Sequence, residues 1–113
     1  MSRMNQEKYQ EFVLETCANA GPTDAGPYDN RALGALLELQ GELGEVTEIF
    51  QKATRRRGGV LTDEDISKLH DELGDVYWGL TALVNALGFN LGTIAASNWM
   101  KLTARQSDAN HTL

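Results

Sequence analysis

A chain of 113 residues with 42% hydrophobic content has room for one globular domain, which at this size buries roughly two thirds of its unfolded surface. Its net charge of −6 and pI near 4.8 oppose nucleic-acid backbones and anionic membrane surfaces as partners, yet allow a phosphate compound that arrives with a divalent cation. The single cysteine, Cys17, excludes an internal disulfide, and neither a signal peptide nor an apolar run of membrane-spanning length is visible, so the expected setting is cytoplasmic.

Tyr9, Phe12, Val13 and Cys17 recur at helical spacing and predict a first helix over residues 6 to about 20. Both prolines fall in the stretch 21–30, which reads as a loop, with Asp29 or Asn30 as the cap of the next helix. A second helix over 31 to about 56 carries Leu36, Leu39, Leu43, Val46 and Phe50 at steps of three and four. Arg55, Arg56 and Arg57 suit its C-terminus, and Gly58–Gly59 end it.

Thr62 before Asp63–Glu64–Asp65 has the form of an N-cap with acids in the first turn. The third helix, which starts there, holds the strongest periodicity: Ile66, Leu69, Leu73, Val76, Leu80, Leu83, Val84 and Leu87. Gly88 stops it, and Asn90 caps a fourth helix over about 91–107. The polar tail from Ser107 is expected to fray. No segment alternates in the manner of a strand. The reading is therefore all-α: a single domain across residues 1–113, with its core over about 6–107, built as a four-helix bundle. The short connection between helices two and three predicts an antiparallel central pair.

Glu42-Leu43-Gly44-Glu45-Val46 is nearly repeated as Glu72-Leu73-Gly74-Asp75-Val76. Each is an acid pair spaced by three, which a helix brings onto one face. Glu42 falls between Val46 and Ile49 on the helical wheel, and Glu72 lies at the edge of the apolar stripe. An acid that faces a helix seam is disfavoured unless it is paired or binds a cation. If the two pairs converge, four unmatched carboxylates repel, and a divalent ion relieves them. All-oxygen donors, without a cysteine or a histidine pair nearby, suit Mg²⁺ or Mn²⁺ rather than zinc. Gly44 and Gly74, one inside each pair, leave room for close packing or for a ligand on the metal. The pattern alone leaves a second reading open, a solvated acidic face.

The segments GELGEVTEIFQK and DELGDVYWGL resemble the MazG-like pyrophosphohydrolases, whose signature is ExxE, a spacer, then ExxD on the next helix. Asn98, Lys101 and Arg105 stand where that family carries NxxKxxxR on its last helix, and the resemblance covers about residues 7–106. It implies hydrolysis of an NTP or dNTP to the monophosphate and pyrophosphate, with Glu42, Glu45, Glu72 and Asp75 as Mg²⁺ ligands and Mn²⁺ as a substitute. It implies nucleotide contacts from Asn98, Lys101 and Arg105, and a homodimer or a tetramer built from dimers. Lys52 and Gly79 fall where some members carry aromatic groups that stack on the base.

Glu38 and Glu48 are candidate supporting acids, with solvated face as the plainer reading of Glu48. Lys52 with Arg55–Arg57 is a candidate phosphate contact, or simply a cationic helix end. Trp78 and Trp99 read as core or subunit contacts, Cys17 as a small core residue and His70 as exposed. Two rivals differ in class. A non-catalytic helical binding or assembly module would have no need of all four acids. A di-iron carboxylate bundle needs Glu-x-x-His pairs, which His70 and His111 do not complete.

Overall fold

The computed structural model describes residues 3–17 and 30–111. The expected loop over 21–29 and its Asp29 cap lie outside the described residues. Within those described there are four helices and no strand: α1 Gln6–Thr16, α2 Asn30–Arg57, α3 Asp63–Ala86 and α4 Leu91–His111.

The helix ends obey local chemistry. Asn5 caps α1 by accepting from the Lys8 N–H at 2.9 Å. Thr62 and Asp65 form a reciprocal capping box at the start of α3, and Asn90 Oδ1 accepts from the Thr93 N–H at 3.0 Å at the start of α4. Gly58 (φ 61°) and Gly88 (φ 75°) stand just beyond α2 and α3 in the left-handed region that a side chain disfavours.

Two boundaries differ from the sequence expectation. α1 ends at Thr16, with Cys17 already extended, and the rest of the expected continuation, residues 18–20, lies outside the described residues. α4 runs past 107 to His111, since no glycine or proline interrupts Arg105–His111; the predicted fraying there is replaced by helix.

The packing is α2 on α3, α1 on α3 and α1 on α4. The face of α2 turned inward is Ala32, Ala35, Leu39, Glu42, Val46, Ile49 and Ala53, at alternating steps of three and four. On α3 it is Leu69, Glu72, Val76, Gly79, Leu83 and Ala86. Each acid thus occupies a seam position between apolar neighbours. The predicted stripe is corrected in part: Leu36, Leu43 and Phe50 on α2, with Ile66, Leu73 and Leu80 on α3, remain exposed. A long helix with apolar residues on two faces can turn only one of them to a given neighbour.

Gly79 lies against Leu39, whereas a Cβ on Gly44 or Gly74 would meet nothing within 4 Å. Close packing therefore does not explain those two glycines. Across the seam, Leu39 meets Gly79, Glu45 nears Glu72, and Arg57 pairs with Asp65.

α1 is locked by one side chain. Gln10 Nε2 donates to Asn85 Oδ1 at 2.8 Å and to the Phe89 carbonyl at 2.9 Å, while Gln10 Oε1 accepts from the Leu91 N–H at 2.9 Å. These bonds span the elbow between α3 and α4, where the chain bends by 101°. Val13 and Thr81, both fully buried, fill the α1–α3 contact. Beyond Leu91, the side chains from Gly92 to Asp108 are exposed.

No single helix among the described residues is long and apolar enough to cross a membrane. His70 is exposed, Cys17 and Trp78 are half-buried, and Trp99 is two-thirds exposed rather than in the core of the protomer.

Candidate functional site

The helical register of α2 puts Glu42 and Glu45 one turn apart, and the packing of α3 brings Glu72 to meet them. One oxygen from each of these carboxyls lies within 4.8 Å of the others. Glu42 and Glu72 are half-buried, and Glu45 is exposed at the mouth. Glu42 Oε2 and Glu72 Oε2 are buried without a hydrogen-bond partner. Such atoms cost free energy unless a proton or cation reaches them.

The electrostatics express that cost. The Glu72 carboxyl is pushed up from 4.5 to about 7, first by its hydrogen bond with Glu45, then by burial, then by the charges of Glu45, Asp75 and Glu42. Asp75 is exposed on the next turn of α3 and stands outside the group of three, though its charge acts on Glu72 and on Tyr9 of α1. Tyr9 itself packs on Tyr77 with ring centroids 4.8 Å apart, and burial leads the causes that raise its pKa. Glu38 is exposed one turn before Glu42 and does not join the group.

A cleft of about 250 Å³ opens beside the acids, lined by Glu45, Glu48, Ile49, Lys52, Asp65, Lys68 and Glu72. Lys52 therefore stands at the site, paired with Glu48 at 3.0 Å. Asp65 is held low by the Thr62 backbone N–H first, with Arg57 adding to it. Lys68 was not legible as a site residue. Its one signal is a place four residues before Glu72, one helical turn away.

Asn98 and Lys101 line a different hollow of about 730 Å³ at the α3–α4 elbow, with Gly88, Phe89, Asn90, Thr93, Ile94 and Ser97. Arg105 is exposed farther along α4 and lines neither hollow. The protomer thus unites three of the four motif acids and leaves the α4 residues apart from them.

Chemically, a half-buried group of carboxylate oxygens, two of them without partners, fits a hard divalent cation. The donor set contains neither sulfur nor imidazole, which argues against a zinc-type site.

Sequence comparison shows the family. A family model described as MazG nucleotide pyrophosphohydrolase domain matches residues 32–109, a span that includes all four motif acids and the α4 residues. The chain is 32% identical over 103 residues to the Gene 37 protein of Mycobacterium phage L5, covering 91% of this chain and 90% of that protein. No solved structure matches.

Proposed function

The chain belongs to the MazG nucleotide pyrophosphohydrolase family, and from that membership we propose that it hydrolyses a nucleoside or deoxynucleoside triphosphate to the monophosphate and pyrophosphate. The observation that carries this reading is the meeting of Glu42, Glu45 and Glu72 within 4.8 Å, with buried, unpartnered oxygens on Glu42 and Glu72.

Those three residues and Asp75 would hold Mg²⁺, with Mn²⁺ as a substitute. The bound ion supplies charge neutralisation for the triphosphate and acidity for the attacking water. The chain's own part is positional. Ala53 and Leu69, buried on the two facing helices, hold α2 and α3 together on the cleft side of the acids. Ile49 gives the cleft an apolar wall, which strengthens electrostatics inside it.

The contacts Leu39 to Gly79, Glu45 to Glu72 and Arg57 to Asp65 rise along α2 as they fall along α3, which supports an antiparallel central pair. The exposed rows Leu36, Leu43, Phe50 and Ile66, Leu73, Leu80 support a homodimer or a dimer of dimers, because rows of this length gain by leaving water. Such an assembly also offers a way to bring Asn98, Lys101 and Arg105 of one copy towards the acids of another, where they would contact the nucleotide. A cytoplasmic setting goes with a nucleotide substrate.

The test is a panel of NTPs and dNTPs incubated with Mg²⁺, with products separated. Monophosphate and pyrophosphate should form and should be lost on chelation and in Glu42→Gln. Release of orthophosphate with a diphosphate, or no turnover across the panel, would overturn the reading.

A further inference from the structure

α4 leaves the molecule as an arm. Its side chains from Gly92 to Asp108 are exposed, and it packs on α1. Asn98, Lys101 and Arg105 stand seven, ten and fourteen residues beyond Leu91. At 1.5 Å of rise per residue they lie about 10 Å, about 15 Å and about 21 Å along the arm. A tilt of about 10° at the elbow would therefore carry Arg105 sideways by about 4 Å, farther than a hydrogen bond reaches.

The local backbone bonds do not set that tilt. The N–H groups of Gly88 and Phe89 bond to the carbonyls of Asn85 and Val84 and close α3, while Asn90 Oδ1 accepts from the Thr93 N–H and opens α4. Neither set joins one helix to the other. Among the described residues, the hydrogen bonds that tie the last turn of α3 to the first residue of α4 run through Gln10. Its Nε2 donates to Asn85 Oδ1 and to the Phe89 carbonyl, and its Oε1 accepts from the Leu91 N–H. Asn85 Nδ2 donates in return to the Gln10 carbonyl at 3.4 Å. Both Asn85 and Leu91 are buried.

The base of this strut is fixed as well. Tyr9, one residue before Gln10, packs on Tyr77, and Val13, one turn after it, is fully buried. Three points of attachment define a direction where one would leave a hinge. The Leu91 N–H is among the amides that a helix start leaves without an internal partner, so Gln10 holds α4 at its first residue.

We propose that Gln10 is a positioning residue for the nucleotide. It sets the angle at which α4 presents Asn98, Lys101 and Arg105, and so their register on a triphosphate held by the acids. The role rests on the proposed hydrolysis and on the nucleotide contacts of α4. Gln10 itself touches no substrate; it acts through the arm. Misplacement of a substrate contact by about 1 Å lowers rates by as much as about a hundredfold, so a small tilt has a large effect.

The probe is inorganic tripolyphosphate with Mg²⁺, titrated calorimetrically into wild type, Gln10→Ala, Gln10→Met, Lys101→Ala with Arg105→Ala, and that pair combined with Gln10→Met. Gln10→Met keeps the bulk and loses the bonds. Mg²⁺ alone is titrated in parallel, and circular dichroism checks that each variant is helical. A second readout needs no ligand. Nitroxides on Ser67→Cys of α3 and Ser107→Cys of α4, with Cys17→Ser, report the angle between the helices as a distance by pulsed electron resonance. Labelled chains are diluted with unlabelled ones, so that only distances within one chain are read. Both Gln10 variants should broaden the distance distribution and bind tripolyphosphate roughly tenfold more weakly, with Mg²⁺ binding unchanged. Gln10→Met should add no further loss once Lys101 and Arg105 are replaced. An unchanged distance distribution would overturn the proposal. So would wild-type tripolyphosphate affinity in both Gln10 variants, or an equal added loss in the Lys101→Ala, Arg105→Ala background, which would make Gln10 a support of the fold alone. Failure of wild type to bind Mg²⁺ or tripolyphosphate would overturn the proposed hydrolysis and this role with it, even with the distances as expected.

Discussion

Gly79 of α3 faces Leu39 of α2 so closely that a Cβ built on it would stand 3.4 Å from Leu39 Cα and 3.5 Å from the Leu39 side chain. The two helices touch there, two turns from Glu72. An aromatic ring at position 79 would force the helices apart.

That contact separates three glycines by their effect on stability. Gly79→Ala meets ordinary van der Waals distance and gains helix propensity, so it should be near neutral. Gly79→Phe should destabilise by about 1–3 kcal/mol through overpacking. Gly44→Ala and Gly74→Ala meet open space and should each stabilise by up to about 1 kcal/mol. Urea unfolding of the four variants checks this, and a large loss in Gly74→Ala would contradict the open space at that position.

Glu72 predicts a pH dependence that magnesium should reverse. Its carboxyl holds a proton up to about 7 in the fold, against 4.5 ordinarily. The folded chain therefore binds the extra proton between those values. The stability from this group is complete below 4.5 and is lost as pH rises through about 7. Metal-free protein should melt at lower temperature near about pH 8 than near about pH 5.5, Glu72→Gln should flatten the difference, and Mg²⁺ should raise the melting temperature more at the higher pH. An equal Mg²⁺ effect at both would count against the proton and the cation sharing one place.

Gln10 should matter well beyond its size. Gln10→Ala leaves the Oδ1 of buried Asn85 and the Leu91 N–H without the Gln10 side chain as partner. The expected cost is about 1–3 kcal/mol in unfolding free energy. Gln10→Glu keeps the acceptor for the Leu91 N–H but sets a carboxylate oxygen against the Asn85 Oδ1 and Phe89 carbonyl acceptors, so it should destabilise at least as much as Gln10→Ala. Denaturant melts of the two variants measure the order.

The α4 residues and the acids should separate in kinetics. Lys101→Ala and Arg105→Ala should raise KM or lower turnover while Mg²⁺ binding persists. Asp75→Asn should weaken Mg²⁺ binding and remove most activity. Steady-state rates with parallel Mg²⁺ titrations decide, and near wild-type turnover in Asp75→Asn at moderate Mg²⁺ would remove that residue from the site.

Assembly is read by mass. Light scattering at micromolar concentration should give at least twice the 12.4 kDa of the chain. Leu43→Glu together with Leu73→Glu, which charges both exposed rows, should lower that mass; a wild-type monomer would show that those rows stay in water.

The sequence by itself determined what is local. Thr62 with Asp65, Asn90, Gly58 and Gly88 marked helix ends, because capping and positive φ depend on a few adjacent residues. The spacing of Glu42 and Glu45, and of Glu72 and Asp75, placed each pair on one face, because a helix repeats every 3.6 residues. Tertiary structure alone decided which of two apolar faces on α2 meets α3, since Leu36, Leu43 and Phe50 obey the same periodicity as Leu39 and Val46 yet stay exposed. It alone turned Glu42 and Glu72 toward each other and raised the pKa of Glu72, set Lys68 beside Lys52, and bent α4 away from the acids through the bonds of Gln10. Those outcomes depend on contacts between residues tens of positions apart, and periodicity carries no information about which partner a face will find.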